Sequence, residues 1–172
     1  MSELITPYAD TIRRFHDAGV RFVIIGGVAM GLHGSDVPTY GVDVAYAIEP
    51  ENLERLAKFL PTIHARVIGR PRNDSFIITT NTLMSVKFLN LSTDLGAIDV
   101  MRQIPGVDSF DGLWERAVPM EIEDFTVHVA SLDDLIAMKR AANRAKDQIH
   151  LLELSRIKQL QAETAIAKTR ET

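Results

Sequence analysis

Cysteine is absent from this chain of 172 residues, and so is any uninterrupted apolar run of about 18 residues. The first absence excludes a disulfide framework, thiolate nucleophiles and zinc sites built on thiolates. The second excludes a transmembrane helix. The N-terminus also lacks a basic stretch followed by an apolar one, which a secretory signal requires. These absences predict a cytoplasmic protein with no membrane partner.

The chain has no excess of positive charge, because 19 lysines and arginines face 23 aspartates and glutamates and the net charge is −4. That balance argues against a protein that coats nucleic acid. The charge is unevenly distributed, with a balance of −8 over residues 1–138 and +4 over residues 139–172. The basic C-terminal region could face phosphate groups, or its charges could simply cover a solvated helix face.

The pattern of apolar residues predicts one α+β domain over residues 1–160, followed by a frayed tail at 161–172. Its predicted strands and helices form a mixed sheet with flanking helices and end in a C-terminal helical pair that begins near residue 131. The strands are expected at 21–25, 42–48 and 97–101, with hairpins over 75–89 and 118–129. Residues 61–74 are predicted to be a loop.

Two aspartates stand inside apolar strands, Asp43 in VDVAY and Asp99 in AIDVM. A buried ionised carboxylate is costly unless it is paired or binds a metal. If the two strands are neighbours, both carboxylates could hold one magnesium ion together with substrate phosphates. Alternatively, both side chains could face solvent on the polar side of the sheet.

A pair of glycines, Gly26 and Gly27, separates the first strand from a short helix. Free N–H groups at a helix start suit phosphate, and glycine lets the backbone approach it closely. The same arrangement can also serve packing alone. The spacing of the glycines matches neither a Walker A loop nor a dinucleotide-binding fingerprint.

The combination of Gly26-Gly27, Leu32-His33-Gly34, Thr39, Asp43 and Asp99 resembles the minimal nucleotidyltransferases of the polymerase-beta superfamily. The segment from Asp134 to Leu154 is similar to a helical signature of the abortive-infection toxin branch of that superfamily, the type IV toxins. The resemblance spans about Val20 to Leu160 and implies a nucleotidyltransferase-like fold.

The resemblance also implies roles for individual residues. Asp43 and Asp99 would be catalytic residues and Mg²⁺ ligands, with Asp99 accepting the proton of the acceptor. The substrate-binding residues would be Gly26, Gly27, Thr39, Lys139 and Asp147. The implied activity is transfer of a nucleoside monophosphate from a nucleoside triphosphate to a hydroxyl of RNA or protein, and the toxin branch implies an antitoxin-like partner.

The chain departs from the family pattern at three positions. Gly41 replaces the first aspartate of Asp-x-Asp, Val37 stands at an arginine position, and His150 stands where many members have another aspartate. A missing metal ligand predicts impaired transfer, because two-metal catalysis clamps both the attacking and the leaving oxygen. Asp36, in the loop, could swing in as a substitute ligand, whereas Glu49 at the strand end is expected to be too far away. Residues 41 and 43 share a strand face, so Gly41→Asp is expected to raise activity.

The sequence is consistent with three functions. One is a weakly active nucleotidyltransferase, and a second is a catalytically inactive relative that binds a nucleotide or a protein partner. The third is a nucleotidyltransferase that modifies small molecules such as antibiotics. Gly41 favours the second function for the chemistry, whereas Asp43, Asp99 and Lys139 favour at least nucleotide binding.

Overall fold

The computed structural model describes residues 5–71 and 74–170, with the backbone alone at 168–170. The strands are β1 (Phe22–Ile25), β2 (Gly41–Tyr46), β3 (Arg66–Val67), β4 (Phe88–Thr93), β5 (Gly96–Met101), β6 (Val118–Ile122) and β7 (Phe125–Val129). The helices are α1 (Ala9–Asp17), α2 (Gly26–Leu32), α3 (Pro50–Phe59), α4 (Thr80–Ser85), α5 (Phe110–Arg116), α6 (Leu132–Ala142) and α7 (Ala145–Arg170). Short 3₁₀ turns cover Thr6–Tyr8 and Leu60–Ile63.

All seven strands join in one mixed sheet of order β3-β4-β5-β2-β1-β7-β6. Strand β2 lies at its centre, antiparallel to β1 and parallel to β5. The predicted α+β class and mixed sheet are confirmed, as are the hairpin of β6 and β7 and the C-terminal helical pair α6–α7. The arrangement brings two strands that are distant in sequence, β2 and β5, side by side.

The two faces of β2 have different surroundings because side chains alternate along a strand. Val42, Val44 and Tyr46 are buried on one face, where the Tyr46 hydroxyl donates a hydrogen bond of 2.8 Å to the Leu83 carbonyl of α4. The opposite face carries Asp43, and it is near this face that α2 begins. Apolar packing on the first face therefore fixes which way Asp43 points.

The hairpin predicted over 75–89 is wrong, because α4 occupies its middle. Thr79 accepts a hydrogen bond from the Thr82 N–H at 3.2 Å, and the Thr82 hydroxyl accepts one from the Thr79 N–H at 3.2 Å. This reciprocal capping box satisfies two backbone donors that a helix start otherwise leaves open. The strand that follows, β4, consequently begins at Phe88 and runs on to Thr93.

Two further predictions are corrected. The predicted loop over 61–74 contains β3, which pairs with β4. The tail predicted to fray after residue 160 continues α7 as far as Arg170, and residues 171–172 lie outside the described part of the chain. Within the described residues, none of the helices combines the length and the apolar character that crossing a membrane demands.

Candidate active site

Asp43 and Asp99 are direct register partners on the neighbouring parallel strands β2 and β5. Register partners project from the same face of a sheet, so the two carboxylates stand side by side, as the sequence predicted. Both residues are partly buried. The pair forms the centre of the candidate site.

The carboxyl of Asp43 is held in an environment that opposes its ionisation. Burial, and after it the charge of Asp99, raise the pKa of Asp43 to about 6. The Gly27 N–H and the charges of Lys139 and Lys146 act in the opposite direction. A divalent cation between the carboxylates would relieve the repulsion, so these two oxygen ligands fit magnesium, which is commonly bound through one or two carboxylates and substrate phosphates.

The raised pKa of Asp43 predicts that Asp43→Asn stabilises the metal-free protein at neutral pH. A folded-state pKa above the ordinary value means that stability is lost as pH rises through about 6, so a neutral side chain removes that loss. We expect a gain of about 2 kcal/mol in the free energy of unfolding at pH 7.5, which vanishes near pH 4. Urea denaturation in a chelator at both pH values measures it, with the exposed Asp108→Asn as control. Equal stability of variant and wild type at pH 7.5 would contradict the prediction.

The space beside the glycine pair is filled by the chain itself. A Cβ built on Gly26, whose φ is +65°, would lie 2.0 Å from Asp43 Oδ2. A Cβ on Gly27 would lie 2.4 Å from Thr39 Oγ1, and that hydroxyl donates to the Gly41 carbonyl at 3.2 Å. The glycines thus admit the side chains of Asp43 and Thr39, and the phosphate contact predicted for their N–H groups stays a prediction.

Gly41 pairs with Ala97 on β5, two residues before the pair formed by Asp43 and Asp99. A Cβ at position 41 would approach the Ala97 carbonyl oxygen to 2.6 Å and the Ala97 Cβ to 3.2 Å. The two strands therefore pack together at a point where only glycine fits. An aspartate at position 41 would require the two strands to lie further apart. Nothing in the sequence indicates this requirement.

A second group of charges lies where α6 meets α7. The Lys139 side chain is 10% exposed, and its Nζ lies 3.5 Å from Asp147 Oδ1. Burial lowers the pKa of Lys139, whereas the charges of Asp147 and Asp43 oppose that shift. The charges of Lys139 and Asp43 act on each other, and the predicted orientation of Lys139 toward the carboxylates stays a prediction.

Asp147 has no exposed side-chain area. Burial would raise the pKa of Asp147, but hydrogen bonds from the Arg144 side chain and N–H and the charge of Lys139 lower it to about 2. The Arg144 Nε donates to Asp147 Oδ2 at 2.8 Å. Asp147 was predicted to bind substrate, but in this arrangement it can act on a substrate only through the cations that it holds.

His150 lies on the same corner, at the position of the family's further aspartate. Its Nδ1 is buried, has no hydrogen-bond partner within the described residues, and is 3.9 Å from Asp147 Oδ1. Burial and the charge of Lys139 lower the pKa of His150, so the ring is neutral at physiological pH. The corner thus carries three cations, Lys139, Arg144 and Lys146, around one carboxylate.

Asn90 was missed by the sequence analysis, which ended the preceding strand at residue 89. Its Nδ2 donates a hydrogen bond of 2.7 Å to Asp99 Oδ1, and Asn90 is the register partner of Asp99. The alternation of buried Leu89 and Leu91 with polar neighbours was the available signal. The donated bond fixes the orientation of the Asp99 carboxylate.

The two other carboxylates near this strand, Glu49 and Asp36, do not join the pair formed by Asp43 and Asp99. Glu49 pairs with Arg21. Asp36 lies in the loop beside α7, where its N–H faces Glu153 and its charge acts on Arg156. Within residues 5–71 and 74–170, no three or more histidine and carboxylate side chains are grouped so that they could hold a metal. Of the predicted metal ligands, the structure therefore brings together Asp43 and Asp99.

Solved structures of nucleotidyltransferases share this fold. The lincosamide antibiotic adenylyltransferase LnuA, in its lincomycin-bound form, has a TM-score of 0.62 and 13% identity, covering 91% of this chain and 98% of its own. ANT(2")-Ia in complex with adenylyl-2"-tobramycin has a TM-score of 0.56 and 13% identity, covering 99% and 100%. An antigenic nucleotidyltransferase-like protein from Paracoccidioides brasiliensis has a TM-score of 0.54 and 13% identity, covering 92% and 76%.

These likenesses show that the chain has the nucleotidyltransferase fold, as the sequence resemblance implied. No protein-family model and no curated protein matches the sequence.

Proposed function

We propose that this protein is a magnesium-dependent nucleotidyltransferase of low activity, which transfers a nucleoside monophosphate from a nucleoside triphosphate to a hydroxyl group of RNA or protein. The proposal is carried by one observation: Asp43 and Asp99 are register partners on β2 and β5, so their carboxylates share one face of the sheet. The charge of the buried Lys139 of α6 acts on the Asp43 carboxyl. Carboxylates on one side and a cation on the other suit a metal-bound triphosphate.

Each group has a role in the transfer. Asp43 and Asp99 would hold magnesium, which supplies neutralisation of phosphate charge when it is bound. The acceptor oxygen forms a bond to the α-phosphorus, the bond from that phosphorus to the bridging oxygen breaks, and pyrophosphate leaves. The acceptor proton passes to Asp99, which Asn90 orients. Lys139 and its neighbours at the α6–α7 corner meet the charge of the triphosphate and the departing pyrophosphate.

Low activity follows from Gly41, which leaves the site one carboxylate short. Loss of a residue that only hydrogen-bonds a metal ligand already lowers metal affinity or activity by about 10- to 100-fold, so a missing ligand should cost more. The same observation favours the second candidate function, a catalytically inactive relative that binds nucleotide or a protein partner such as an antitoxin-like protein.

A third candidate is modification of a small molecule. It is favoured by the likeness to LnuA and ANT(2")-Ia, whose structures contain lincomycin and adenylyl-2"-tobramycin. Because these proteins are only 13% identical to this chain, their ligands do not identify its acceptor.

Incorporation of an α-labelled nucleoside triphosphate distinguishes the three. We expect slow, magnesium-dependent labelling of RNA or protein by the wild type and none by Asp43→Ala. Binding of the triphosphate without any labelling would support the inactive relative. Labelling of an added antibiotic, with RNA and protein unlabelled, would support the third candidate.

Lys139→Ala is expected to weaken triphosphate binding about tenfold, because a hydrogen bond to a charged group contributes about 1.5–3 kcal/mol and one ion pair is lost. Titration calorimetry with magnesium and each of the four nucleoside triphosphates measures the effect. Lys158→Ala is the matched control, since this lysine lies on α7, is half exposed and pairs with Asp133. Unchanged dissociation constants for Lys139→Ala would assign this lysine a purely structural role with Asp147.

A further inference from the structure

The second half of α7 extends beyond the core of the domain. Leu154 and Ile157 are buried, whereas residues 158–167 are all exposed. This exposed stretch is about 15 Å long. Short helices are marginal in water, and most helical stability in proteins comes from the packing of one face. Packing against this stretch would therefore add stability that the single domain does not supply.

A groove of about 400 Å³ runs along one face of the stretch. The end of α2, at His33 and Gly34, forms one wall, and the wall on α7 includes Ile157, Leu160, Gln161 and Thr164. We call these four α7 residues the seam. Their spacing of i, i+3, i+4 and i+7 places them on one face of the helix. The stripe that buries Leu154 and Ile157 in the core thus continues along the groove.

The wall formed by α2 is fixed relative to α7. The His33 Nε2 donates a hydrogen bond of 2.8 Å to the Ala130 carbonyl. Glu153 of α7 accepts hydrogen bonds from the Asp36 N–H and from the Ser35 hydroxyl. Because these contacts hold the end of α2 and the loop after it in place, the groove is preformed, and a partner need not order it on binding.

The seam is complementary to a second copy of itself. Its N-terminal end carries the two large apolar residues, Ile157 and Leu160, and its C-terminal end carries the smaller Thr164. In an antiparallel pair with a twofold axis between residues 160 and 161, Ile157 lies opposite Thr164 of the second copy. Leu160 then packs on the aliphatic part of Gln161 of that copy. Large residues facing smaller ones allow two helices to interdigitate.

The charge of the seam argues against other kinds of partner. None of its four residues is charged, so a nucleic acid or a strongly charged peptide would find no ion-pair partner on it. Arg156, which also borders the groove, pairs with Glu153 at 2.9 Å. A neutral helix is the partner that fits, and the chain carries one in its own α7.

The area available is sufficient for a weak dimer. A twofold pair would make one contact between the two seams and two contacts between an α7 and the α2 wall of the other copy. Contact strips about 15 Å long and 10 Å wide give a total buried area of about 1,000 Å². That area is close to the smallest that a specific protein interface has. A dissociation constant in the micromolar range is therefore expected.

We propose that the protein forms a twofold-symmetric dimer, in which the seams of two copies pack antiparallel and each α7 lies in the groove of the other copy. In such a closed arrangement the same patch is used on both subunits, so no further copies can add. The dimer does not depend on nucleotide transfer and can be tested on the protein alone.

Sedimentation equilibrium of the full chain measures the dimer directly, and Leu160→Glu tests the seam. This substitution is expected to raise the dissociation constant about tenfold or more, because each dimer loses two apolar contacts and gains two unpaired carboxylates. Ile166→Glu is the matched control, since residue 166 lies on the opposite face of α7. Leu160 and Ile166 are 48% and 54% exposed, so neither substitution should impair folding.

Disulfide cross-linking tests the register independently of that variant. The chain has no cysteine of its own. Gln161→Cys places a thiol beside the twofold axis, where it meets the same thiol of the second copy, and mild oxidation should yield a covalent dimer. Gln159→Cys, which lies on the opposite face of the helix, should remain monomeric on a denaturing gel without reductant.

Three results would overturn the proposal. The first is a wild type that sediments as a monomer up to about 100 µM, well above the expected constant, which would leave the groove to a different protein partner. The second is equal weakening of the dimer by Leu160→Glu and Ile166→Glu. The third is cross-linking at position 159 as fast as at position 161. The second and third results would each place the contact between copies outside the seam.

Discussion

Gly41→Asp is expected to destabilise the protein by about 3 kcal/mol and to lower nucleotide transfer below the wild-type level. The sequence predicts the opposite, because an aspartate at 41 would share a face with Asp43 and supply the missing ligand. The structure reverses the expectation: the new Cβ would meet the Ala97 carbonyl oxygen at 2.6 Å, so β2 and β5 must separate. Separation displaces Asp43 from Asp99, the pair on which metal binding depends.

Gly41→Ala is the matched control for this variant, because it adds the same Cβ without a charge. We expect both variants to lose similar stability in urea denaturation with a chelator present, which would assign the loss to packing. Labelled nucleotide incorporation by wild type and both variants tests the chemistry. A Gly41→Asp protein as stable as wild type, with raised incorporation, would show that the strands adapt and that Gly41 is merely a lost ligand.

The placement of Asp43 and Asp99 was predictable from sequence because each is a polar residue within an apolar strand. Such a residue must point to the face where its charge can be neutralised, and both strands had to lie near the sheet centre to be so apolar. Their neighbouring positions in the sheet agree with that reasoning. The steric constraint at Gly41 could not be predicted, since it arises from the distance between two strands that are remote in sequence.

The segment 75–89 shows where local patterns mislead. Thr80-Asn81-Thr82 looks like a turn between β-branched strands, yet the hydroxyls of Thr79 and Thr82 cap a helix there by accepting from backbone N–H groups. The predicted strand also ended at residue 89, so Asn90, which donates to the Asp99 carboxylate, was overlooked.

The length of α7 was underestimated for a different reason. The predicted end at residue 160 relied on the loss of an apolar side, but the sequence from 145 to 170 contains neither glycine nor proline to stop a helix. Continuation to Arg170 follows from intrinsic propensity rather than from packing, since residues 161–167 are exposed.

Gly26→Ala is expected to have the largest effect of all, a loss of about 4 kcal/mol in the free energy of unfolding. Two causes combine. The backbone at Gly26 has a φ of +65°, a conformation that costs a residue with a Cβ about 1–2 kcal/mol. The new Cβ would also overlap the Asp43 carboxylate, whose Oδ2 lies 2.0 Å from its position.

A double-mutant cycle separates the two causes. In an Asp43→Ala background the overlapping carboxylate is gone and only the Cβ of residue 43 remains close, at 2.9 Å. Gly26→Ala should therefore lose clearly less stability than in the wild type, but more than the backbone cost alone. Gly34→Ala is the control, because Gly34 also has a positive φ, +102°, and nothing lies within 4 Å of its Cβ position. Urea denaturation of the four proteins of the cycle and the control measures these differences. Equal losses from Gly26→Ala with and without the Asp43 carboxylate would show that the glycine serves only the backbone turn, and that Asp43 does not depend on it for its position.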